Sequence, residues 1–145
     1  MDYDALKTGL RAAVPFVQLL ELEYIDLGPG TATVRLPERV EMTNHVGSQH
    51  AGGLFTAAET ASGAAFVGAF AERLGEITPL AKSANISYEK IAKGPIDATA
   101  TLDDDGLIDK LEADGKVEFQ IDVVLKDSGD QQVASATIDW HVRKN

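Results

Sequence analysis

Leu6, Leu10, Ala13, Val14 and Val17 recur at helical spacing, which predicts a short amphipathic helix over about residues 4–18, bent or interrupted near Pro15. Such a helix is expected across the surface or over a ligand entrance. Leu22 to Leu27 runs into the turn signal Gly28, Pro29, Gly30, after which Ala32, Val34 and Leu36 alternate with Thr31, Thr33 and Arg35. This pattern predicts a β-hairpin whose second strand ends at Pro37. Glu38 to Gln49 is a polar connection into a helix of small residues, expected from about Gly52 to Leu74.

Ala84, Ile86 and Tyr88 mark a strand within Ile77 to Gly94, and Gly94-Pro95 turns the chain into another from Ile96 to Leu102. The acidic run Asp103, Asp104, Asp105 before Gly106, Leu107 and Ile108 suits a loop opening a helical turn, where carboxylates meet the positive helix end. The clearest alternation follows: Val117, Phe119, Ile121, Val123 and Leu125 against Glu118, Gln120, Asp122 and Lys126. A turn at Ser128, Gly129, Asp130 leads to a last strand with Ala134, Ala136, Ile138, Trp140 and Val142 on one side, completing a long hairpin. Strands clustered around one long helix predict an α+β class with a mainly antiparallel sheet, because a doubly wound fold needs strands and helices in alternation.

The long helix carries the most information. Ala57, Ala58, Ala61, Gly63, Ala64, Ala65, Gly68 and Ala69 have so little bulk that a sheet can curl closely round it, with Leu54, Phe55, Phe66, Val67 and Phe70 filling the remaining space. Glycine costs ~1 kcal/mol against alanine inside a helix, so Gly63 and Gly68 point to the close approach of another backbone or a ligand. The span Ala51 to Ala71 is long enough for a bilayer but is mostly Ala and Gly around Glu59, and reads as a buried core helix.

The 145 residues fit one domain, 1–145, and the 44% hydrophobic and 25% charged content is that of a globular chain. A formal net charge of -10 argues against a duplex nucleic-acid partner, which needs Lys and Arg gathered on one face. The absence of cysteine removes disulfides, thiolate metal sites and a cysteine nucleophile. The N-terminus MDYDALKTGLRAAVPF lacks the basic region and apolar core of a secretory signal, so a cytoplasmic protein without a membrane partner is expected.

Glu59 stands out as a carboxylate with no basic partner at helical spacing and only uncharged neighbours, nearly all Ala, Thr, Ser, Gly or aromatic, for two turns on either side. Burial would raise its pKa and leave a carboxylate suited to take a proton from water or attack a carbonyl. A solvent-facing Glu59, or one paired with a distant Lys or Arg, is the other reading. At the start of the same helix, Ala51, Gly52 and Gly53 present backbone N–H groups without intrahelical partners, where the helix dipole favours a polarised carbonyl oxygen. An ordinary flexible entry loop would account for these glycines as well. Ala51 and Glu59 are eight residues apart, ~12 Å of helix at ~1.5 Å per residue, too far to act on one carbonyl. A second copy of the helix, antiparallel across a two-fold axis, would bring its carboxylate opposite the first copy's N-terminus, which predicts a dimer with two composite sites. His45 and His50 flank the loop and His141 is distant, without metal-ligand spacing, so no metal is expected. His50 is assigned to ordering the loop or donating to a ligand.

Asn44, Gly47, His50, Gly52 and Glu59 in NHVGSQHAGGLFTAAETASG resemble the signature of hotdog-fold acyl-CoA thioesterases, in particular the phenylacetate-pathway and 4-hydroxybenzoyl-CoA branches, and a group of hotdog proteins with the HAGGLFTxAE form of the loop. The specific motif covers residues 44–63, and the order of elements is similar over nearly the whole chain. The resemblance implies a hotdog fold, a dimer or a tetramer built as a dimer of dimers, and hydrolysis of acyl-CoA or another acyl thioester, with CoA as part of the substrate and no other cofactor. It places Asn44 where the family's amide residue positions thioester or water. Ala51 or Gly52 N–H would polarise the carbonyl, and Glu59 of the other subunit would act as base or as nucleophile through an anhydride. The family holds the CoA nucleotide with surface basic residues, for which Lys82, Lys90, Lys93 and Arg143 are the candidates. An apolar or aromatic acyl group would pass Phe55, Phe66 and Met42 between the subunits. Two departures stand out: Ala51 where Gly usually follows the His, and Gly63 where a hydroxyl often follows the acid, leaving Ser62 or Thr60 as substitutes. A non-catalytic acyl-CoA binder or sensor and a hotdog hydratase or dehydratase are the competing functions, although neither the HFPG form nor an Asp/His/Asn hydratase motif is present.

Overall fold

The computed structural model describes residues 1–103 and 105–145; Asp104, in the acidic run, lies outside the described residues. The N-terminal segment forms two helices, α1 (Tyr3–Ala13) and α2 (Pro15–Leu19). Asp2 caps α1 by accepting the Ala5 N–H at 3.0 Å. The break falls at Val14, whose extended backbone (φ -117, ψ 98) is what a following proline imposes. Strands β1 (Glu23–Gly28) and β2 (Thr31–Leu36) pair through a two-residue turn in which Gly30 takes φ +74. The central helix α3 (Ala51–Ala69), β3 (Ile77–Tyr88), β4 (Ile96–Thr101), α4 (Leu107–Asp114) and the long hairpin β5 (Lys116–Asp127) and β6 (Gln132–Lys144) complete the order. All six strands form one antiparallel sheet, ordered β1-β2-β4-β5-β6-β3.

The small side chains of α3 let it lie close on the sheet: Ala57, Ala58, Ala61 and Ala65 are fully buried. Phe66 and Phe70 fill the space that remains, stacked at 4.7 Å on each other and within about 6 Å of Phe119, with Trp140 5.7 Å from Phe66. Regular helix stops at Ala69, earlier than the Leu74 its composition predicts, and a 3-10 segment runs from Ala71 to Glu76. Phe70 is the cause: its ring is fully buried against Phe66, and its backbone (φ -106, ψ 22) leaves the helical path to put it there.

Two bulges govern which side chains face α3. The register shift between Tyr24 and Asp26 inserts Ile25, so Tyr24 (opposite Val34) and Leu27 (opposite Ala32) share the inner face despite an odd separation. Another shift between Ala81 and Ser83 leaves Lys82 as the extra residue. Pro79 and Ala81, opposite the buried Val142 and Trp140, thereby share a face with Ala84, Ile86 and Tyr88. The edge strand β3 is open: from Pro79 to Tyr88 only Ile86 is even half-buried. No helix among the described residues is long and apolar enough to cross a membrane.

Candidate active site

The loop before α3 is tied by its own side chains. Asn44 Oδ1 accepts the Val46 and Ser48 N–H groups at 3.0 and 3.1 Å, and Asn44 Nδ2 donates to Ser48 Oγ at 2.8 Å. Gly47 takes φ +75 at the tip. Asn44 therefore builds the loop, and one N–H of its amide remains for another partner. The neighbouring Gln49 is buried, with Nε2 donating to the carbonyls of Pro37 and Gly94 at 3.1 and 2.8 Å.

His50 is the N-cap of α3, an imidazole where a hydroxyl or carboxylate commonly sits. Its Nδ1 accepts the Gly52 N–H at 2.8 Å, which leaves the ring proton on Nε2. The expected loop-ordering part of His50 has thus a defined geometry. The same bond corrects the assignment of Gly52, whose N–H is spent on the imidazole. Gly53 and Leu54 N–H both reach the His50 carbonyl, so Ala51 is the first-turn residue whose N–H has no partner among the described residues. The Ala51 carbonyl accepts the Tyr88 hydroxyl at 3.2 Å, joining the helix start to the far end of β3. A recess of about 430 Å³ opens here, lined by Asn44, Ser48, Gln49, Ala51, Tyr88 and Lys90 among others. Lys90 is exposed and makes no ion pair among the described residues.

Two turns along α3, Glu59 lies half-buried in a second cleft of about 310 Å³. Apolar side chains from three directions enclose it: Leu10, Val14 and Val17 from the N-terminal helices, Phe66 and Val67 from α3, Pro79 and Trp140 from the sheet. No Lys or Arg pairs with Glu59 among the described residues. Burial raises its pKa above the ordinary carboxylate value, as a lone acid in an apolar cleft requires. Tyr24 lines the same cleft, its phenol pushed up to about 12 by burial and then by the negative Glu59. Sequence patterning missed Tyr24, because the bulge at Ile25 breaks the alternation that would have placed it.

Three further expectations change. Ser62 is fully buried, donating to the Glu59 carbonyl at 2.7 Å and accepting the Trp140 indole N–H at 3.2 Å, so it holds Trp140 beside the cleft and cannot touch a ligand. Thr60, the other hydroxyl considered, does line the cleft. Lys82 is bound to Glu118 at 2.8 Å and borders neither recess, because the bulge turns it out with the other face of the sheet. Phe55 is half-buried one turn before Glu59 and lines neither cavity; of Phe55, Phe66 and Met42, only Phe66 reaches the Glu59 cleft.

A family model described as a domain of unknown function, DUF4442, matches residues 3–142. No curated protein matches the sequence. Among solved structures, a Pseudomonas aeruginosa protein of unknown function, PA5026, described as a probable thioesterase, is 28% identical with a TM-score of 0.89, over 100% of this chain and 97% of that one. The E. coli PaaI protein from the phenylacetic acid degradation operon is 20% identical (TM-score 0.75, 92% and 88% covered). A mutant of the thioesterase SAV0944 from Staphylococcus aureus is 18% identical (TM-score 0.71, 90% and 99% covered). Below 25% identity these last two speak for the fold alone. With one curved antiparallel sheet around α3, a carboxylate in mid-helix and a polar loop at the helix start, the chain belongs to the DUF4442 family and has the hotdog fold of thioesterase-like proteins.

Proposed function

We propose that the protein is a thioesterase that hydrolyses acyl-CoA, working as a homodimer with each site shared between two copies. The observation that carries this reading is the placement of the two recesses at opposite ends of the open edge strand β3. Pro79 lines the Glu59 cleft near its start, and Tyr88 lines the Ala51 recess at its end, both on the inner face. An exposed edge of this length is a template for pairing with another strand. If two copies pair antiparallel about a two-fold axis between Ser83 and Ala84, Pro79 of one lies beside Tyr88 of the other, and each Glu59 cleft abuts the partner's helix start.

In that arrangement the thioester carbonyl oxygen accepts the Ala51 N–H, where the helix dipole stabilises the charge of a tetrahedral adduct. The partner's Glu59 takes a proton from an attacking water. Oxygen adds to the carbonyl carbon, the C–S bond breaks, and the proton passes to the departing CoA thiolate. Attack by Glu59 itself, followed by hydrolysis of the anhydride, balances equally and uses the same atoms. Lys90 stands at the rim of the Ala51 recess to meet a phosphate of CoA.

Release of free thiol from short, medium, long and aromatic acyl-CoAs, measured beside Glu59→Gln and with the mass in solution, tests both parts. Hydrolysis lost in a folded Glu59→Gln dimer supports the assignment. Activity that survives the substitution, a fully active monomer, or binding without turnover overturns it.

A further inference from the structure

Given the thioesterase reading above, we propose that the acyl group lies within one protomer, in the cleft beneath α1 and α2, and that Leu10 and Val14 set the chain length it accepts. Neither Phe55 nor Met42 lines this cleft. The cleft beside Glu59 is walled by Leu10, Val14, Val17, Phe66, Val67 and Trp140. Its polar side chains are those of Glu59, Thr60 and Tyr24.

The chemistry of the cleft selects the occupant. Glu59 pairs with no Lys or Arg among the described residues and none lines the cleft, so its carboxylate repels that of a free fatty acid. The uncharged acyl chain of a thioester meets no such penalty, and its hydrolysis creates the anion the cleft disfavours, which promotes product release. Size narrows the class further: about 310 Å³ holds roughly ten methylene-sized groups at ~30 Å³ each, the share of a water in the liquid. A medium-length acyl chain can lie inside it, whereas a palmitoyl chain must extend past its open side.

The N-terminal helices are a fitted cover, tied into the core through Val17. Helix α1 buries no residue completely, and its apolar side, Tyr3, Leu6 and Leu10, is only partly buried. Val17 in α2 is the anchor, 2% exposed, whereas Val14 at the break between the helices is 38% exposed and borders the cleft. Side chains at 10 and 14 can therefore change the cleft's depth with little effect on the packing of the sheet.

The test compares kcat/KM for acyl-CoAs of four to sixteen carbons in the unaltered protein, Val14→Trp, Leu10→Ala, and Val40→Trp as a control at an exposed position of a 3-10 turn that does not line the cleft. Non-hydrolysable acyl-CoA thioethers of the same lengths are titrated by calorimetry. An added ring displaces several methylenes, each worth roughly ten-fold or more in discrimination. Val14→Trp is expected to lower kcat/KM for decanoyl-CoA at least ten-fold while butyryl-CoA changes less than three-fold; Leu10→Ala shifts the optimum to longer chains, and Val40→Trp changes neither. Hydrolysis with an unchanged length profile in both cleft variants overturns the assignment of the cleft while leaving the reaction standing. If no thioester is cleaved, the reaction is refuted and the thioethers decide the cleft: affinity that grows with chain length and falls in Val14→Trp sustains it, and affinity indifferent to length removes it.

Discussion

Two glycines in α3, five residues apart, are predicted to respond to the same substitution with opposite signs. A Cβ built on Gly68 lies 2.0 Å from the Gly28 carbonyl oxygen and 3.1 Å from its carbon, against the 3.4 Å or more of an ordinary contact. Helix and hairpin would have to part by about 1.4 Å, and the hairpin cannot yield locally. Gly28 is paired in β1, and the adjacent Gly30 carbonyl accepts the Leu102 N–H at 2.7 Å. Overpacking of this kind costs ~1–3 kcal/mol or more, while the helical preference for Ala over Gly returns ~1 kcal/mol. Because the clash is with backbone, the upper part of the range applies and Gly68→Ala should lose about 2 kcal/mol net. At Gly63 the nearest atoms are those of the Trp140 ring at 3.8 Å, so an added methyl makes ordinary contact and Gly63→Ala should gain up to ~1 kcal/mol. Urea denaturation at one protein concentration, followed by the fluorescence of the single tryptophan, measures both. Shifts of the same sign, or a Gly68→Ala protein as stable as the parent, would refute the account of why small residues occupy this helix.

Other substitutions test the site. Because burial raises the Glu59 pKa, the folded state holds its proton more tightly than the unfolded chain, and the contribution of this group to stability falls as pH rises from its ordinary value of 4.5 through the folded value. Glu59→Gln, which does not titrate, should therefore gain stability on the parent by at most ~1.4 kcal/mol per pH unit across that window and hold the gain constant above it; a gain that shrinks with rising pH contradicts burial as the cause. His50→Ala removes the acceptor for the Gly52 N–H and should cost ~1 kcal/mol, as loss of an N-cap does, with His50→Asn recovering most of it in thermal melts. Ser62→Ala strands the buried Trp140 N–H and should cost ~1–3 kcal/mol, whereas adding Ser62→Ala to a Trp140→Phe background should cost less, a double-mutant comparison that isolates the bond.

Strands β5 and β6 were legible because they are long and buried on one face only, so their period of two survives from Val117 to Leu125 and from Ala134 to Val142. The all-small helix was legible for a related reason: only a close-packed sheet makes use of so many Ala and Gly. Its C-terminal end was not, since nothing local marks Ala69 as different from Leu74, and the turn arises from Phe70 seeking the ring of Phe66 across the core. Bulges were equally hidden. A one-residue insertion at Ile25 or Lys82 is specified by what the opposite strand buries, and the run Leu22 to Leu27 carries no trace of it.

The same division runs through the site. Glu59 could be singled out because the cost of burying a charge is a property of its own neighbourhood on the helix, and among the described residues no cation pairs with it. Side chains whose role is decided by a distant partner could not be sorted. Ser62, Thr60 and Gly52 look equally available along the chain, yet Trp140 claims the first, His50 claims the third, and only Thr60 is left on the cleft. Tyr24 is the sharpest instance, since it stands far before Glu59 in the sequence and its place in the cleft depends on the pairing across a bulge in β1. Because Ile25 is the extra residue, deleting it leaves Tyr24 and Leu27 at the even separation of a regular strand, so Tyr24 should stay on the inner face opposite Val34 and its phenol should stay raised at about 12, readable by ultraviolet titration with the other tyrosines changed to Phe. A phenol that falls toward the ordinary value of 10 after the deletion would mean that the bulge itself, and not the pairing with Val34, holds Tyr24 in the cleft.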